Sequence, residues 1–170
     1  MKRIISILLA AISVFTIFSV NVFAEESVAA PANVLPDEII EEVHGLYDTN
    51  NNESMNPKAT GLITEHTLTL AKTTDRLIIY AKTDCIESVR KCGFTYIKLQ
   101  RLINGSWTNY TAYCYYDQYA NSSIKTFSQT VSAPKGYTYR VVCEHYAEKA
   151  KLIFFKETET IYNVTSSLVF

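Results

Sequence analysis

The chain has 170 residues, 48% of them hydrophobic, and a formal net charge of −1. With 16 basic against 17 acidic residues it lacks the basic face that a nucleic-acid partner requires, and no polybasic segment suggests attachment to a membrane surface. No cofactor is expected, because no phosphate loop, dinucleotide fingerprint or metal-ligand spacing occurs.

Residues 1–24 read as a cleavable secretory signal peptide. Lys2 and Arg3 form a basic start, Ile4–Val20 is apolar, and Val22-Phe23-Ala24 places small residues at the −3 and −1 positions before Glu25-Glu26. The apolar run lies at the short end of what crosses a bilayer, so cleavage is favoured over retention as an anchor. The mature chain then begins at Glu25, is weakly acidic after losing Lys2 and Arg3, and has the size of one domain. No second apolar run and no cysteine at the cleavage point supports a stable membrane anchor. Localisation is therefore expected to be secreted.

Residues 25–61 form a leader. Within it, Ile39, Ile40, Val43, Leu46 and Tyr47 recur at helical spacing behind Asp37 and Glu38, which predicts a short helix over 36–47. An Asn-rich polar linker follows, from Asp48 to Gly61. From Leu62 to Phe170 the texture becomes that of short strands between turn signals. Strands are predicted at Leu62–Ala71, Arg76–Thr83, Phe94–Ile103, Trp107–Tyr116, Ser123–Val131, Thr138–Tyr146, Lys151–Glu157 and Thr160–Leu168. Asn104-Gly105 marks the clearest hairpin, because a type I′ turn needs φ > 0 at both central residues. The expected fold is all-β: an antiparallel two-sheet sandwich of about seven or eight strands, immunoglobulin- or fibronectin-like.

Pro134-Lys135-Gly136 is a turn feeding a strand that opens with tyrosine. Tyr139 is the candidate for a tyrosine corner, and alternation sends Val141, Cys143 and His145 to the same, inward face. The segments Ile97-Lys98-Leu99-Gln100-Arg101, Asn104-Gly105-Ser106-Trp107, Lys135-Gly136-Tyr137-Thr138-Tyr139-Arg140-Val141 and His145-x-Ala147 together resemble a group of small secreted β-sandwich proteins of Gram-positive, clostridial-type bacteria. That group is a domain family of unknown function with "LQR…NG.W" and "G.YYRV…H.A" strands. The resemblance spans roughly Thr60 to Phe170 and implies export and a β-sandwich, without an activity.

The chemistry-bearing residues are few. Four cysteines, Cys85, Cys92, Cys114 and Cys143, are disulfide candidates in an oxidising compartment, with three pairings open. His44, His66 and His145 have no nucleophile motif beside them, and His145 is expected to be a hydrogen-bonded core residue. The acids, Glu159 among them, are expected at solvated turns and strand ends, so no carboxylate pair is expected in a cleft. The chain is expected not to be an enzyme.

The informative feature is aromatic: 12 Tyr and one Trp, dense between Trp107 and Tyr119. Strict alternation puts Trp107, Tyr113 and Tyr115 on one face, a candidate stripe for stacking on a glycan or docking an extracellular protein. A non-catalytic secreted binding protein is the leading expectation. The alternatives are an exported effector or immunity-type protein whose segment 25–61 is processed or binds a partner, and an outer-membrane β-barrel. Nothing in the sequence specifies an oligomeric state.

Overall fold

The computed structural model describes residues 39–47, 60–152 and 155–170, so the expected signal peptide and most of the leader lie outside the described residues. Nine strands are formed there: β1 (Glu41–Tyr47), β2 (Ile63–Lys72), β3 (Leu77–Cys85), β4 (Lys91–Ile103), β5 (Ser106–Ala120), β6 (Ile124–Val131), β7 (Thr138–Leu152), β8 (Phe155–Thr165) and β9 (Leu168–Val169). Every pairing is antiparallel, in the order β5-β4-β7-β8-β1-β2-β3-β6, with β9 on β7. The expected all-β class is present, but the sheet is one path curled almost to a barrel rather than two clearly separate sheets.

Side chains close the seam between the end strands β5 and β6. The Tyr115 and Phe127 rings lie 4.8 Å apart, and the Tyr113 hydroxyl donates to the Ser132 carbonyl just beyond β6 at 3.0 Å.

Strand β1 corrects the helix expected over 36–47, whose residues 36–38 lie outside the described residues. The same apolar spacing is satisfied by an extended chain, and tertiary pairing decides the matter. Val43 and His44 pair with Leu70 and Thr69 of β2, after which Gly45 and Leu46 pair with Thr165 and Val164 of β8. Gly45 stands where the strand changes partners. A Cβ there would run into the Asn163 side chain and come within 2.9 Å of Leu68 Cβ.

The β4–β5 hairpin forms at Asn104-Gly105, with φ of 50° and 78° joining Ile103 to Ser106. Farther on, the expected Lys151–Glu157 strand does not exist as a unit. Strand β7 runs through to Leu152 and pairs straight back with Phe155 of β8. No Gly or Pro interrupts Ala147–Lys151, so β7 stays extended through Leu152.

Most of the interior is apolar. Leu68 and Leu70 of β2, Leu77 and Ile79 of β3, Phe94, Ile97 and Leu99 of β4, and Val141 of β7 are almost completely buried in one cluster. A smaller cluster of Leu62, Ile63, Val89, Cys92 and Ala147 fills one end. Tyr139 is fully buried and its hydroxyl donates to the Pro134 carbonyl at 2.8 Å, the geometry of a tyrosine corner.

Candidate functional site

The expected aromatic stripe is not assembled as alternation predicts. Lys98 of β4 opposes Cys114 of β5, yet Gln100 opposes Asn109, so Leu99 alone faces the segment Tyr110–Tyr113. This bulge inserts an odd number of residues and reverses the parity of the strand. Trp107 stays outward, whereas Tyr113 and Tyr115 pack against the core. Cys114 and Tyr116 take the outward positions, opposite Lys98 and Tyr96.

A different aromatic surface forms instead, on the outer face of β5-β4-β7. At one end the Arg140 guanidinium lies 4.3 Å from the Trp107 ring centre. Its Nε donates to Gln100 Oε1 at 2.8 Å, and Gln100 Nε2 donates in turn to Asn109 Oδ1 at 2.9 Å. In the middle, Lys98 Nζ sits 4.1 Å from the Tyr96 ring centre and 5.2 Å from that of Tyr116. At the far end, Lys91 Nζ sits 4.0 Å over Tyr119 and 5.7 Å from Tyr146, whose rings are 5.1 Å apart. The Tyr146 hydroxyl donates to Glu148, which also pairs with Lys156 at 2.9 Å.

Register explains the column. Gln100, Lys98, Tyr96, Gly93 and Lys91 of β4 oppose Arg140, Val142, Glu144, Tyr146 and Glu148 of β7. Burial raises the hydroxyl pKa of Tyr96, Tyr119 and Tyr146, so these groups remain protonated donors at neutral pH. Each cation–ring contact is worth about 0.5–1 kcal/mol where exposed, and together they hold long side chains upright.

Inside the barrel lies a second polar group. The buried Thr83 hydroxyl donates to the Gly93 carbonyl at 3.2 Å, which leaves its oxygen to accept Nδ1–H of His145 at 2.8 Å. His145 Nε2 has no partner, and the His66 ring lies 5.1 Å away. Asn163 Nδ2 donates to His66 Nδ1 at 3.2 Å. Burial, reinforced by His66, lowers the His145 pKa to about 3, so the ring is neutral. Among the described residues, neither a carboxylate nor a thiol is hydrogen-bonded to this His–Thr pair.

Glu159 departs from the solvated position expected of it. It is buried, and one carboxylate oxygen accepts the Leu62 and Ile63 amides at 2.6 and 3.1 Å and the Thr60 hydroxyl at 3.1 Å. These bonds seat the start of β2. No local motif announces the role, since the partners lie almost a hundred residues away in sequence.

All four cysteines are thiols. Cys143 is buried behind Ile97 in the core, and Cys114 faces outward beside Lys98, so β4 separates them and they cannot pair. No group of three or more His, Cys, Asp or Glu fit to hold a metal occurs among the described residues. The depression beside Glu87, Arg90, Asn121 and Lys149 is open and mixed in charge. No helix among the described residues is long and apolar enough to cross a membrane. No family model matches the chain, and neither a curated protein nor a solved structure matches it.

Proposed function

We propose that this chain is an exported, non-catalytic binding protein whose ligand surface is the outer face of β5-β4-β7 and whose ligand is an acidic glycan. The observation that carries the reading is the column of cations interleaved with rings, Arg140 on Trp107, Lys98 with Tyr96 and Tyr116, and Lys91 with Tyr119 and Tyr146. Rings of this kind stack on sugar faces, while the ammonium and guanidinium groups beside them pair with carboxylate or phosphate substituents. Export is supported by the layout of residues 1–24 and by the resemblance to secreted Gram-positive proteins. The non-catalytic reading is supported by the sealed, carboxylate-free setting of His145. For the fold, the tyrosine corner supports reading the curled sheet as a relative of the immunoglobulin-like sandwich.

The effector reading, with segment 25–61 removed, has less support because Glu41–Tyr47 is built into the sheet. An array of neutral and acidic wall polymers tests the proposal, probed with the mature protein and with Trp107→Ala/Tyr116→Ala. The expected result is salt-sensitive binding to acidic polymers, weakened at least about tenfold in the double variant while its melting curve stays cooperative. Absence of binding by the unaltered protein, or equal binding by both, overturns it. Binding to proteins alone would replace the glycan with a protein partner.

A further inference from the structure

Cys85 and Cys92 stand apart from the other two thiols. Cys85 is the last residue of β3 and Cys92 the second of β4. These strands are far apart along the hydrogen-bonded path, so they face each other across the interior. The chain between them reverses tightly, with the Val89 amide donating to the Ile86 carbonyl at 3.0 Å. Just beside the pair, Thr83 of β3 reaches the Gly93 carbonyl of β4 at 3.2 Å. Both cysteines pack in the same small cluster with Leu62, Ile63, Val89 and Ala147. The neighbouring Cys85 lowers the pKa of the Cys92 thiol, which favours its ionisation.

We propose that Cys85 and Cys92 close a disulfide under oxidising conditions, stapling β3 to β4 across the end of the barrel, while Cys114 and Cys143 remain thiols. In the reaction each thiol gives up its proton and a single Sγ–Sγ bond forms. The two electrons pass to an external disulfide, a small-molecule or protein oxidant, whose own S–S bond breaks to give two thiols. The inference selects one bridge where sequence spacing left three pairings open, and it is independent of the ligand reading.

The sequence makes the test direct, because trypsin places the four cysteines on four different peptides. Residues 25–170 are equilibrated with oxidised and reduced glutathione, alkylated, digested and mapped by mass. The expected product links peptide 83–90 to peptide 92–98, with Cys114 and Cys143 alkylated. Reduction should lower the melting temperature by roughly 5–10 °C, as loss of a short closed loop predicts. A Cys85→Ser/Cys92→Ser variant should melt at the same temperature with or without reductant. Free alkylation of Cys85 and Cys92 after oxidation, a bridge involving Cys114 or Cys143, or a reductant-sensitive melt in the double variant would each overturn the proposal.

Discussion

His145 has no room for a second proton. Its ordinary pKa of 6.5 falls to about 3 on folding, so between those values the unfolded chain binds a proton that the folded chain refuses. Stability is therefore complete above about pH 6.5 and declines toward pH 3 by about 1.4 kcal/mol per pH unit. His66, also lowered by burial and facing His145, adds a decline of the same sign. His145→Gln should flatten this acid limb without abolishing it, as urea midpoints between about pH 7.5 and 4 would show; an unchanged slope would refute the assignment. Glu159 makes a second residue-scale prediction. Glu159→Ala strips acceptors from two buried amides and should lower unfolding free energy by about 2–4 kcal/mol in the same urea measurement.

At the scale of elements, the change of partner at Gly45 should be intolerant of a side chain. Gly45→Ala forces a methyl against Asn163 and Leu68 and should cost about 1–3 kcal/mol, read as a lower urea midpoint at constant slope. Several elements were legible from sequence because their causes are local. Asn104-Gly105 demands its hairpin, and the alternation of Tyr139, Val141, Cys143 and His145 survives intact as an inward row. Other elements were illegible for equally physical reasons. Strand β1 owes its form to ladders with distant strands, and its apolar spacing suits a helix equally well. The parity of β5 reverses at a bulge that no glycine marks, so Trp107 parts company with Tyr113 and Tyr115. The site therefore shared Trp107 with the expected stripe. Its cationic half, Lys91, Lys98 and Arg140, became visible only once β4 and β7 were paired.

For the whole molecule, β1 matters more than its seven residues suggest. It fills the middle of the strand path, bonded to β2 along one stretch and to β8 along the next. A processing cut at Gly61 would therefore not trim a tail. It would leave a central rung held by hydrogen bonds alone, whose loss would give β2 and β8 raw edges facing each other. The gap would have the length and polarity of a single extended peptide, so a released 41–47 fragment, or the same segment of another molecule, would fit back into it. The leader thus carries part of the sheet itself, and in a chain cut there β1 would be held by its ladders to β2 and β8 alone.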